Sequence, residues 1–205
     1  DPAAGTVTVD GTGHTFSLAD AGVRIGTCVA ECYNDWSNGL ADHVNLKVNE
    51  SYNAANASHY YHIRVPASHR HDGQAKNGDG TYRGFALKYS GGAVIDTRWT
   101  PFTRIEGVIV DGLGGGNSVG VYGSEGNEKG GLVRNSIALN AAKGFVAYGY
   151  FHNCLAQSCT TGFHAVSDSY WNLYLYNCTA VGGETGFYVR PVAGSRILDR
   201  PRHRH

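Results

Sequence analysis

Side chains able to do acid–base or metal chemistry gather in one polar stretch, P-A-S-H-R-H-D-G-Q-A-K-N-G-D-G-T-Y-R (66–83). His69, His71 and Asp72 lie together in H-R-H-D-G, Asp79 follows in N-G-D-G, and Lys88, Arg98 and Arg104 are near in sequence. An imidazole or another basic side chain can remove a proton, and carboxylates can hold a hard cation such as calcium through oxygen. His69, His71, Asp72 and Arg104 are therefore the candidate catalytic residues. The same strings are also ordinary turn chemistry, because Asp, Asn and Gly close tight bends through their own backbone. No cofactor is otherwise called for, and CxxxC at Cys28 and Cys32 lacks the second ligand pair that a zinc site needs.

A second set of residues suits binding: Tyr122, Tyr148, His164, Tyr188 and Arg190, and separately Tyr150, His152, Tyr174 and Tyr176. Rigid tyrosines lose little entropy on contact and combine a ring face with a hydroxyl. They also simply suit exposed strands.

What must position these residues is an internal repeat. Asp111 to Gly120, Asn135 to Gly144, Asn153 to Gly162 and Asn177 to Gly186 are each nine residues apart, with repeat lengths of 24, 18 and 24. A period of this size, rich in Gly and β-formers and without helical spacing, is the signature of a β-solenoid coil. Each unit reads as three short strands and three bends.

Gly120, Gly144, Gly162 and Gly186 open the first strand, with Val121, Phe145, Phe163 and Phe187 stacked inside. Alternation then turns Tyr122, Val146, His164 and Tyr188 outward. On the second strand Ile109, Val133, Phe151 and Leu175 are expected inward, and Val110, Arg134, His152 and Tyr176 outward. On the third, Ser136, Cys154 and Cys178 are expected inward with Ala138, Ala156 and Ala180, which leaves Ile137 and Leu155 outward. Asp111, Asn135, Asn153 and Asn177 form the predicted structural ladder, because Asn tolerates a left-handed bend and its amide bonds its neighbours above and below.

The irregular first 60 residues read as a cap and first coils, with a hairpin of 6–9 and 14–17 around D-G-T-G. Residues 61–190 form the regular coils and 191–205 a basic tail. Formal net charge is zero, so the body of the chain has no electrostatic footprint for nucleic acid. No run of some 18 apolar residues suggests a membrane span. Five cysteines do not make a complete disulfide framework, although Cys154 and Cys178 should lie one above the other. Asn49, Asn56 and Asn177 begin glycosylation sequons, and a buried ladder makes the match at Asn177 accidental.

The string R-I-E-G-V-I-V-D-G (104–112), with the N-C-x-A and G-F units after it, resembles the pectin-lyase-like superfamily over residues 40–190. The resemblance implies an all-β, single-stranded, right-handed parallel β-helix of six to eight coils. That superfamily includes pectate and alginate lyases, polygalacturonases, phage tailspikes and virion or surface proteins without catalysis, so fold does not select among them. The paired carboxylates of a glycoside hydrolase are missing from the expected outward rows, and the polygalacturonase motifs are absent. Two readings follow. One is a structural or adhesive module, extracellular or on a virion, with other subunits or further chain at its coil ends and a polysaccharide on its Tyr/His faces. The other is a polysaccharide lyase acting on an acidic polysaccharide, with calcium and the 66–83 loop.

Overall fold

The computed structural model describes residues 27–46, 60–100, 102–123, 131–146, 149–165 and 173–189, and the backbone of strands 5–10 and 14–18. In chain order the first strands are β1 (Gly5–Asp10), β2 (His14–Leu18), β3 (Cys28–Glu31), β4 (His43–Asn45), β5 (Tyr61–Arg64) and β6 (Ala86–Lys88). Next come β7 (Ala93–Asp96), β8 (Thr103–Glu106), β9 (Ile109–Asp111), β10 (Val119–Tyr122), β11 (Gly131–Arg134), β12 (Ile137–Leu139) and β13 (Lys143–Val146). The series ends with β14 (Gly149–His152), β15 (Leu155–Gln157), β16 (Thr161–Ala165), β17 (Leu173–Tyr176), β18 (Thr179–Val181) and β19 (Thr185–Val189).

These strands form three sheets that run the length of the stack. Sheet A has the order β19-β16-β13-β10-β7-β4-β1-β2, sheet B β17-β14-β11-β8-β5-β3, and sheet C β18-β15-β12-β9-β6. Pairing within each is parallel except at β1, which is antiparallel to both β2 and β4. The chain is an all-β parallel β-helix, and the expected hairpin ends sheet A with antiparallel strands. Parallel stacking already begins within the first 60 residues, at β3, which pairs with β5 just beyond them. The tail 191–205 lies outside the described residues.

The core is a column of like on like. Phe145 and Phe163 stack at 5.1 Å and 13°, and Phe163 and Phe187 at 5.2 Å and 9°. Phe151 meets Phe145 edge-on at 5.7 Å, which closes the space between sheets A and B. Glycine precedes each phenylalanine because the coils approach too closely for a side chain: a Cβ on Gly144 would come 2.6 Å from the Gly162 carbonyl oxygen.

The bends carry the Asn residues. Asn135, Asn153 and Asn177 have φ of 50°, 53° and 51°. The Asn153 amide donates to Asn135 Oδ1 at 3.1 Å, and that of Asn177 to Asn153 Oδ1 at 2.8 Å. Two expectations need correcting. Asn153 and Asn177 are exposed rather than buried, since the bend puts their side chains on the outer rim of the stack. Asp111 is not in this series. Register pairs Arg134 with Glu106 and Leu139 with Asp111, so the equivalent of Asn135 is Gly107, whose φ is 78°.

The physical reason is an enlarged bend. From Gly107 to Gly120 the chain takes thirteen steps instead of nine, through L-G-G-G at 113–116, so the Asp111 spacing is a coincidence. The same shift puts Ile105 rather than Ile109 in the inward row of sheet B, and Glu106 rather than Val110 in its outward row. Ser136, Cys154, Ala138 and Ala156 are buried, as an inward third strand requires. Ile137 faces out, yet it is 1% exposed, because it packs with Ile109, Leu139, Ala75 and Tyr82 in a second cluster beneath the 66–83 segment.

Candidate functional site

Two outer surfaces hold the residues of interest. The first is sheet C with the segment that covers it. This segment leaves β5, makes a 3₁₀ turn at Ala67–His69, folds back through a Lys76–Tyr82 bridge and returns to β6. Its anchor is Asp111, which is fully buried. The Tyr82 hydroxyl donates to Asp111 Oδ2 at 2.7 Å, Lys76 Nζ lies 3.1 Å from the same oxygen, and the Asn140 amide and Leu113 N–H donate to Oδ1 at 3.1 and 2.9 Å. Burial pushes the Asp111 carboxyl up, but these four partners outweigh it and hold the group below the usual aspartate range.

The catalytic candidates in this segment are engaged in holding it. His69 Nδ1 accepts the Asn34 N–H at 3.1 Å, with its ring edge-on to Tyr33. His71 Nδ1 accepts the Gly73 N–H at 3.2 Å, so Nε2 carries the proton and donates to the Asn135 carbonyl at 2.8 Å. Burial lowers the His71 pKa and keeps the ring neutral. Asp72 is paired with Arg83 and accepts the Gln74 N–H, while Asp79 accepts both the N–H and the hydroxyl of Thr81. Among the described residues no group of three or more His, Cys, Asp or Glu is placed to hold a metal ion. The segment does leave a cleft of about 380 Å³ between Lys76, Gln74, Asn140 and Gln157.

The second surface is the outer face of sheet B, where register builds two columns. One runs His62, Arg104, Leu132, Tyr150, Tyr174, and the other Glu31, Arg64, Glu106, Arg134, His152, Tyr176. The half toward the C-terminus is aromatic. Tyr150 and Tyr174 stack at 4.7 Å and 9°, His152 and Tyr176 at 4.6 Å and 21°, and Tyr150 and Tyr176 are 42% and 45% exposed.

The other half is charged. Glu31 pairs with Arg64. Glu106, only 5% exposed, has Arg70 Nη1 at 2.7 Å, Arg134 Nη2 at 2.6 Å and His62 Nε2 at 3.4 Å. Burial raises the Glu106 pKa, and the cationic partners, Arg134 foremost, bring it below the usual range. Burial lowers His62 more than Glu106 raises it, leaving a neutral imidazole. Arg104 lies 3.4 Å over the Tyr60 ring, a cation–π contact. Arg104 is thus brought beside His62 and away from Asp72, so the four catalytic candidates do not converge.

Sheet A separates its predicted residues in a similar way. Tyr122 lies under Arg98 at 4.4 Å, and Arg98 Nη2 bonds Asp96 Oδ2 at 2.6 Å. His164 and Tyr188 meet at 4.7 Å with a 48° tilt, while Val146, between Tyr122 and His164 in the register, is buried. Tyr148 and Arg190 lie outside the described residues.

Sequence reasoning missed Glu106, His62, Arg70 and Arg134 as a cluster. The available signal was I-R-V at 63–65 against I-E-G at 105–107; counting back from Arg134 by the 28 residues of the enlarged coil leads to Glu106. No family model, curated protein or solved structure matches this chain.

Proposed function

We propose that this chain is a structural or adhesive β-helix module of an extracellular or virion assembly that holds a glycan on its aromatic face. The observation that carries the reading is the pair of exposed, stacked columns Tyr150–Tyr174 and His152–Tyr176 on a sheet whose backbone is fixed by its neighbours. Rings stacked in a row at strand spacing turn successive edges, hydroxyls and imidazole nitrogens outward, a repeated set of hydrogen-bonding groups for the units of a glycan. Such a surface is rigid before binding, which reduces the ordering cost.

A partner chain, or further coils of its own chain, belongs at the C-terminal end. There Phe187 is 50% exposed although its stacked neighbour Phe163 is 1% exposed, and Val181 and Val189 are exposed beside it. Edge strands β17, β18 and β19 also offer backbone groups for pairing. Among the described residues no helix is long and apolar enough to cross a membrane.

The lyase reading is favoured by one observation, and at a different place from the 66–83 loop. His62 and Arg104 face each other in the register of β5 and β8, a neutral base beside a guanidinium. The test is a polysaccharide and glycan-array screen of the chain, read for retention and for ultraviolet-absorbing unsaturated product. Retention abolished by Tyr150→Ala, without product, is the expected result. Product that disappears in His62→Ala makes the protein a lyase, and silence in both readouts removes the glycan from the proposal.

A further inference from the structure

We infer that Cys154 and Cys178 are a redox-active thiol pair, which a small-molecule disulfide converts to a cross-coil bond tying the last described coil to its neighbour. Leu155 pairs with Thr179 and Ala156 with Ala180, and the Thr179 N–H donates to the Cys154 carbonyl at 2.9 Å. The two cysteines therefore sit one above the other at the inter-strand spacing of about 4.8 Å, inside the Cα separations that a disulfide spans. Their sulfurs are held alike. Cys154 Sγ is 3.4 Å from the His152 carbonyl and 3.6 Å from that of Val133; Cys178 Sγ is 3.5 Å from those of Tyr176 and Phe151. An S–H is a weak donor, so little is lost when these contacts are given up.

The remaining cysteines lack this arrangement. Twenty-four residues on from Cys159 stands Gly183, whereas the same step from Cys154 leads to Cys178. All five cysteines are free thiols.

Access divides the roles. Cys154 is 2% exposed, while Cys178 is half-buried in the last described coil. The hydrogen bond from Cys154 lowers the Cys178 pKa, and the same contact together with burial pushes Cys154 up. The half-exposed thiol, whose pKa is the lowered one of the two, is the attacking partner. Its thiolate attacks one sulfur of oxidised glutathione and releases one glutathione thiolate. Cys154 Sγ then attacks Cys178 Sγ in the mixed disulfide and releases the second. Two protein thiols are oxidised, one glutathione disulfide is reduced to two thiols, and the two protons leave with the glutathiones. The bond closes a loop of one whole coil.

The test uses the whole chain, fully reduced and then exposed to oxidised glutathione. Intact mass and chymotryptic mapping, which separates Cys154 from Cys159 at Leu155, report the product. The expected result is the loss of two hydrogens, a linked Cys154–Cys178 peptide pair that also forms in Cys159→Ser, and slower amide exchange over residues 173–189. A stable glutathione adduct on Cys178, a link to any other cysteine, or no reaction would each overturn the inference.

Discussion

The outer faces of sheets B and C are built on the same coils and in the same register, yet one is covered and the other open. Sheet C presents Ile109, Ile137 and Leu139 outward, and the 66–83 segment closes over them with Ala75 and Tyr82. Sheet B presents Tyr150, His152, Tyr174 and Tyr176, which stack on one another and leave ring edges and polar tips to solvent. Aliphatic side chains can be satisfied only by removal from water, so they call for a lid. Tyr and His carry a polar tip and tolerate a half-wet surface, which leaves them available to a partner. Polar residues within the lid are thus seals: His71 fastens it to the Asn135 carbonyl, and Tyr82 and Lys76 fasten it to Asp111.

The largest way to break this contrast is Asp111→Ala. It leaves the buried Tyr82 hydroxyl and the Asn140 amide without their acceptor and removes the partner of Lys76. A loss of about 3 kcal/mol is expected, measured by urea unfolding, with new proteolytic cleavage inside 66–83.

Next is Ile137→Ala beneath the lid, where about 2–3 kcal/mol should be lost; a change below the error of the unfolding fit would mean that the lid seals nothing apolar.

Lowering the pH should loosen the covered face in two stages. His71 has a folded pKa below its ordinary value, so the unfolded chain binds the proton first. Its contribution is complete above the free histidine pKa of about 6.5 and is lost as pH falls below that. Asp111 and Glu106 also have lowered folded pKa values, so their contributions are complete above the free carboxylate range near 4 and fade as pH falls through the folded values. Urea midpoints measured from pH 7.5 down to 3 should show both stages, and His71→Asn should reduce the upper one, to which His62, also lowered, contributes.

The smallest stability effect belongs to the open face. Tyr150→Ala should change unfolding by less than about 1 kcal/mol, while abolishing retention on whichever glycan the wild-type chain holds. A Tyr150→Ala chain that unfolds as readily as the Asp111 variant would show that the aromatic columns are structural.

Much of this was legible along the chain. Repeated G-F units placed the phenylalanine stack, N-to-G spacing placed three of the four bends, and the turn-rich composition of 66–83 marked a long excursion. The first repeat misled because four extra bend residues at 113–116 restored a nine-residue spacing from Asp111. A motif of one polar and one small residue carries no information about which strand it ends. Val110 therefore takes, in the sequence reading, the outward place that belongs to Glu106, and the acid–base cluster around Glu106 stays hidden.

The sequence by itself determined the coil and its inward rows, because strand alternation and close stacking are local, repeating constraints on each short segment. Only the tertiary structure decided which outward rows meet water. That depends on where a non-repeating excursion lands, and His71 on the Asn135 carbonyl and Tyr82 on Asp111 join residues 64 and 29 positions apart. Contacts at such range follow no period, so no spacing announces them.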